Sequence, residues 1–122
     1  MSSTPLIAVI DDDGPFRASL VELLRSIAYG VRDFASAEAF VAADEVGSYD
    51  CIITDIHMPG MSGIDLKRLL MARDLAVPVI MITGRAEPGL ESRVASSGAV
   101  SLLRKPFEAD ALIGCLERIL DA

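Results

Sequence analysis

Leu6-Ile7-Ala8-Val9-Ile10-Asp11-Asp12-Asp13-Gly14-Pro15 opens on five apolar residues and then breaks into three consecutive carboxylates and a turn. An apolar run of this length without polar alternation is the pattern of a strand buried on both faces. The abrupt change marks the strand end and a helix start. Asp13 is placed to cap that helix and Pro15 falls in its first turn. Phe16, Leu20, Leu23, Leu24 and Ile27 then recur at helical spacing.

Outward from this segment the same alternation repeats to the end of the chain. Further strands are predicted at Val31–Phe34, Cys51–Thr54, Val79–Ile82 and Val100–Leu103. Ser36 can cap a second helix with Glu38 in its first turn. Ser62 and Asp65 form a capping-box pair for a third, which carries Ile64, Leu66, Leu69 and Leu70. Glu108 and Asp110 favour the start of a last helix, whose apolar face is Leu112, Ile113, Leu116, Ile119 and Leu120. The fourth helix, around Leu90–Ser97, is intrinsically weak, because Pro88, Gly89 and three serines lie in or beside it.

Strand and helix repeated five times predict an α/β fold, with right-handed crossovers and one domain over residues 1–122. Five such units suit a doubly wound, flavodoxin-like parallel sheet in the order 2-1-3-4-5. Ligands in these sheets bind beyond the carboxyl ends of the strands, so the residues just after each run decide the chemistry.

The bulk properties narrow the function classes. The 122 residues are 52% hydrophobic, ample for one core. A net charge of −7 with 11 Lys+Arg leaves no electrostatic footprint for nucleic acid, so DNA contact would need another domain. The apolar runs are far shorter than the ~20 residues that span a bilayer. Met1-Ser2-Ser3-Thr4-Pro5 lacks the pattern of a secretory signal. Cys51 and Cys115 lie in apolar stretches without ligand spacing, which reads as buried free thiols in a reducing compartment. The expectation is a soluble, cytoplasmic protein.

The first predicted strand runs into Asp11, Asp12 and Asp13, the third into Asp55, the fourth into Thr83-Gly84 and the fifth into Lys105-Pro106-Phe107. Each alone has a bland reading as turn, cap or solvated charge. Together the fold brings them to one crevice. Asp11, Asp12 and Asp55 would crowd three carboxylates, which resist ionising together unless a cation relieves them. Mg²⁺ suits such a site, because it takes oxygen ligands and is commonly held by one or two carboxylates plus a phosphate. A carboxylate beside it can attack phosphorus. The phosphoryl oxygens would then be met by Lys105 and by donors from Thr83-Gly84.

With these residues in place, the chain resembles the receiver domain of two-component response regulators. The resemblance rests on Val-Ile-Asp-Asp-Asp (9–13), Thr-Asp-Ile-His-Met-Pro-Gly-Met-Ser-Gly (54–63), Pro-Val-Ile-Met-Ile-Thr-Gly (78–84) and Lys-Pro-Phe (105–107). The wording is similar to that of nitrogen-fixation-type regulators, in which the receiver precedes a helix-turn-helix domain. The resemblance implies Asp55 as phosphoacceptor, with Thr83 and Lys105 on the phosphoryl group. It further implies Mg²⁺ held by Asp12 and Asp55, by Asp11 mainly through water, and by the His57 carbonyl. The donor would be a sensor histidine kinase or phosphotransfer protein, and a phosphorylation-dependent homodimer is one assembly that it allows. A cis Lys105–Pro106 bond is also expected.

Asp13 is expected as a cap rather than a ligand. The His57 imidazole lacks a second nitrogen or thiolate and is no transition-metal site. It is expected, with Arg85, at the pocket mouth, while Met58 and Met61 serve packing. The position three before Lys105 is Leu102, where many receivers carry Phe or Tyr. Output is therefore expected to rest on ordering around the fourth helix instead of on an aromatic ring.

Two other classes compete. Asp11-Asp12-Asp13-Gly14 also looks like the start of a haloacid-dehalogenase-type phosphatase, but no acidic pair follows Lys105 at a further strand end and Asp55 would have no role. A binding module that keeps the fold without needing phosphate is the second. Flavin binding has no support, because the first strand ends in carboxylates and not in a phosphate-cradling loop. The chain stops where a receiver ends, which fits a single-domain regulator or a domain of a longer one.

Overall fold

A computed structural model describes residues 4–120, so the expected domain of 1–122 extends beyond the described residues at both ends. Five strands, β1 (Leu6–Ile10), β2 (Gly30–Phe34), β3 (Cys51–Asp55), β4 (Val79–Thr83) and β5 (Ser101–Arg104), form one parallel sheet in the order β2-β1-β3-β4-β5. Between and after them run α1 (Gly14–Ser26), α2 (Ala37–Ala42), α3 (Gly63–Ala72), α4 (Leu90–Ser97) and α5 (Ala109–Leu120). A 3-10 turn at Val46–Ser48 precedes β3. Among the described residues no helix is long and apolar enough to cross a membrane.

Side chains alternate across the sheet, so each central strand feeds two separate cores. Ile7, Val9, Cys51, Ile53, Ile80 and Ile82 meet Leu20, Val21 and Leu24 of α1 and Leu112, Cys115 and Leu116 of α5. Ala8, Ile10, Ile52, Val79 and Met81 meet Phe40 of α2, Ile64, Leu66 and Leu70 of α3 and Leu90 and Val94 of α4. Met58 belongs to this second core and Met61 packs against it, as expected of both. Burying each such aliphatic side chain stabilises the fold by about 1.5–3 kcal/mol.

Burial on both faces holds for β3 and β4, where every residue is buried, and nearly so for β1. It fails at the two edges. Arg32 and Asp33 of β2 are exposed, and β5 is only half-buried, with Arg104 exposed. An edge strand has a neighbour on one side only, and charges there discourage pairing with another chain.

The helix boundaries follow local chemistry. The Asp13 carboxylate caps α1 by accepting from the Phe16 N–H at 3.1 Å. Ser36 caps α2, and Ser62 with Asp65 closes a reciprocal capping box on α3. α4 has no side-chain cap and is bracketed by Gly89 at φ +79° and Gly98 at φ +87°. Those left-handed conformations are open to glycine at little steric cost. On α5 the buried face is Leu112, Cys115 and Leu116, while Ile113 is half-buried and belongs to neither core. Cys51 and Cys115 are free and buried, as the sequence implies.

Candidate functional site

The sheet register brings the strand ends level. Ile10 lies opposite Thr54, Asp55 opposite Ile82, and Thr83 opposite Arg104. The residue after β1, the last residues of β3 and β4 and the residue after β5 therefore meet at one edge. The crevice holds Asp11, Asp12, Asp55, Thr83 and Lys105.

Asp11 is 1% exposed and Asp55 6%, whereas Asp12 is open to solvent. Carboxylate oxygens of the three lie within 4.8 Å of one another. Each buried carboxylate has one oxygen tied to the backbone. Asp11 Oδ1 accepts from the Asp13 N–H at 2.9 Å and Asp55 Oδ1 from the His57 N–H at 3.1 Å. The other oxygens face Lys105, whose Nζ donates to Asp11 Oδ2 at 3.0 Å and Asp55 Oδ2 at 3.2 Å. The Lys105–Pro106 peptide bond is cis, as expected.

The electrostatics follow from that geometry. Burial pushes the Asp11 carboxyl above its usual value and the Asp55 charge adds to this, against the Asp13 N–H and Lys105. Burial works against the Lys105 charge, but hydrogen bonds and attraction from Asp11 and Asp55 outweigh it and raise its pKa. One ammonium thus bonds two carboxylates, with the exposed Asp12 as a third beside them. The donor set is all hard oxygen, partly buried and negative in excess, and it fits a divalent cation such as Mg²⁺.

Thr83 is 1% exposed, and its hydroxyl is engaged away from the carboxylates. Thr83 Oγ1 accepts from the Arg85 N–H at 3.1 Å, donates to the Arg85 carbonyl at 3.0 Å, and lies 3.3 Å from His57 Nδ1. His57 Nε2 is 3.0 Å from Glu87 Oε1, and Glu87 Oε2 accepts from Arg93 Nη2 at 2.7 Å. His57 and Arg85 line, with Asp12, a cavity of about 520 Å³ that adjoins the crevice without including Asp55 or Lys105.

Several contacts were not legible in the sequence. The Phe16 ring, assigned by its spacing to the α1 core face, lies under the Lys105 ammonium, 4.1 Å from Nζ to ring centroid. Arg17 Nη1 donates to the Asp11 carbonyl at 2.6 Å, and its Nε reaches Asp33 Oδ2 at 2.9 Å. Gly63, the last residue of the 54–63 motif, packs so close that a Cβ there would come 2.6 Å from the Asp55 carbonyl oxygen. Leu102, opposite Met81, packs against the core beneath α2, α3 and α4.

A family model described as the response regulator receiver domain matches residues 7–117. The transcriptional regulatory protein FixJ of Bradyrhizobium diazoefficiens is 38% identical over 117 residues, covering 96% of this chain and 57% of that protein. The crystal structure of FixJ-N superposes with a TM-score of 0.88 at 33% identity, covering 99% of this chain and 96% of that one. The response regulator StyR gives 0.89 at 35% identity, covering 98% of this chain and 60% of that one. The chain thus spans a little over half the length of the curated relative it matches.

Proposed function

The chain belongs to the response regulator receiver domain family of two-component signalling, and from that premise we propose that it takes a phosphoryl group from a phosphohistidine onto Asp55. The observation that carries this reading is the Asp55 carboxylate itself. It is buried, oriented by the His57 N–H, faced by Lys105 and flanked by Asp11 and Asp12.

In the proposed step an Asp55 oxygen attacks phosphorus, the donor's N–P bond breaks, and its electron pair stays on the departing imidazole. Lys105 turns from Asp11 and Asp55 to the phosphoryl oxygens. The Thr83 hydroxyl leaves the Arg85 carbonyl and donates to another of them. Asp11, Asp12, Asp55 and the His57 carbonyl would hold Mg²⁺, which when bound neutralises the carboxylates and the phosphoryl charge. Donors held in place by folding lower the barrier without reorganising during the reaction.

The donor in this reading is a sensor histidine kinase or phosphotransfer protein. The domain works in the cytoplasm, where Cys51 and Cys115 stay reduced, and it makes no direct contact with nucleic acid. It catalyses only its own phosphorylation and slow dephosphorylation. Output passes through α4, β5 and α5 and includes a phosphorylation-dependent homodimer. The phosphatase alternative would leave Asp55, buried and faced by Lys105, without a role.

Acetyl phosphate with Mg²⁺ should add one phosphoryl mass to the wild type and none to Asp55→Asn. Equal labelling of the two, or labelling undiminished by a chelator, would refute the assignment. Turnover of a generic phosphomonoester would favour the phosphatase.

A further inference from the structure

Phe16 is the one aromatic ring in contact with the Lys105 ammonium among the described residues. Nζ stands 4.1 Å from its centroid, on a side chain that is 19% exposed. The ring is itself fixed from two directions. Its backbone N–H donates to Asp13 Oδ1 at 3.1 Å, and the Asp13 N–H donates to Asp11 Oδ1 at 2.9 Å, so the ring's place is tied to the carboxylate that Lys105 touches. Phe107, two residues after Lys105, meets the Phe16 ring edge-on at 5.9 Å and 82°. Lys105 and Phe107 thus contact the same ring.

A lysine stem loses much rotamer freedom when its ammonium is held at one point. Carboxylates alone hold this ammonium from one side, and they add negative charge to a site that must admit an anion. An aromatic face attracts the cation through its quadrupole and carries no net charge. It neither ligates a metal nor repels a phosphoryl group as a carboxylate would. From this geometry we propose that Phe16 is a positioning residue for Lys105, seating the ammonium so that it swings from Asp11 and Asp55 to the phosphoryl oxygens without leaving the ring. The proposal rests on the receiver reading of the site given above.

Beryllofluoride, a stand-in for the phosphoryl group, titrated in Mg²⁺ provides the functional readout. Phe16→Leu should weaken its binding by about three- to tenfold, the cost of immobilising on binding a Lys105 side chain that the ring no longer holds in place. Phe16→Tyr, which keeps the ring face, should bind as the wild type does. In a Lys105→Met background Phe16→Leu should have no further effect. NMR gives a readout that needs no ligand, because the ring current should shift the Lys105 ε-methylene protons upfield in the wild type and Phe16→Tyr but not in Phe16→Leu. An unshifted methylene, a loss shared by Phe16→Tyr, or a loss that persists beside Lys105→Met would overturn the proposal and leave Phe16 a packing residue. A shifted methylene in a wild type that binds no beryllofluoride would sustain the seat and sink the receiver reading instead.

Discussion

Thr83 Oγ1 lies 3.3 Å from His57 Nδ1, at the head of a side-chain series that runs through Glu87 to Arg93 in α4. In a neutral imidazole that donates from Nε2 to Glu87, Nδ1 is an acceptor. The single hydroxyl hydrogen of Thr83 is then contested by Nδ1 and the Arg85 carbonyl. In the proposed function, drawing that hydroxyl onto a phosphoryl oxygen would empty both contacts together. The route reaches α4 without passing through Leu102.

Beryllofluoride should therefore alter amide exchange across residues 87–103 more than across α1 and α2. α4 is the element to respond, because it has no side-chain cap and glycine at both ends. Thr83→Ala should reduce this response more than Leu102→Ala does, and Glu87→Ala should reduce it as well. A response confined to α1 and α2, or a larger loss from Leu102→Ala, would place the switch elsewhere.

Magnesium should raise the thermal midpoint without any phosphate. Binding to the native state alone contributes about 2.7 kcal/mol at a hundredfold excess over the dissociation constant. Asp12 is exposed and receives no hydrogen bond from Lys105, so Asp12→Ala should leave metal-free stability equal to the wild type's or slightly higher. The same variant should lose the response to the ion. Calorimetry with and without Mg²⁺ checks both, and a wild type indifferent to the ion would contradict the site.

Two glycines should respond to alanine with opposite sign. A Cβ on Gly63 would lie 2.6 Å from the Asp55 carbonyl oxygen and 3.2 Å from Ile56 Cα, so Gly63→Ala must push backbone that carries Asp55. Overpacking of this kind costs about 1–3 kcal/mol. A Cβ on Gly114, inside α5, meets nothing within 4 Å, and Gly114→Ala should stabilise by roughly 0.5–1 kcal/mol. Urea denaturation of the two variants measures the contrast, and equal midpoints would refute it.

Burial pushes the Cys51 thiol up to about 12. The native protein should leave Cys51 unalkylated by iodoacetamide at mildly alkaline pH, with full labelling only in denaturant, as read by mass spectrometry. The unfolded thiol ionises near its ordinary value of about 8.5. The Cys51 contribution to stability is thus whole below that pH and lost as the pH climbs from there towards 12. Cys51→Ala should flatten this part of the alkaline fall, and an unchanged slope would assign it elsewhere.

The central strands and the strand-end residues were legible because a both-face-buried strand leaves an unbroken apolar run that stops where the polar site begins. Asp11, Asp55, Thr83 and Lys105 could be placed together from topology alone. The caps at Asp13, Ser36 and Ser62 were legible for the same local reason. Glu87 was not, since its partner His57 is distant in the chain and only the path of the β4–α4 loop joins them. Phe16 was read only in part. Helical spacing marks it as inward-facing, and it does pack against the core on the α1 and α5 side, but the spacing gave no sign that its ring also meets the Lys105 ammonium. The edge strand β5 reads as an apolar run, yet exposure depends on having a neighbour, which no run of residues records, whereas in β2 the charges of Arg32 and Asp33 were already a sign of exposure.

The two cores on opposite faces of the sheet have no side chain in common. Substitutions with no shared contacts tend to be additive in stability, to within about 0.5 kcal/mol. Thr83 lies in phase with Val79 and Met81, on the side of α2, α3 and α4, while Phe16 and Phe107 pack against the α1 and α5 side. The sheet therefore acts as a partition between two independently editable surfaces. Drift in one core can be tolerated without compensating change in the other, so the two can be repacked at separate rates.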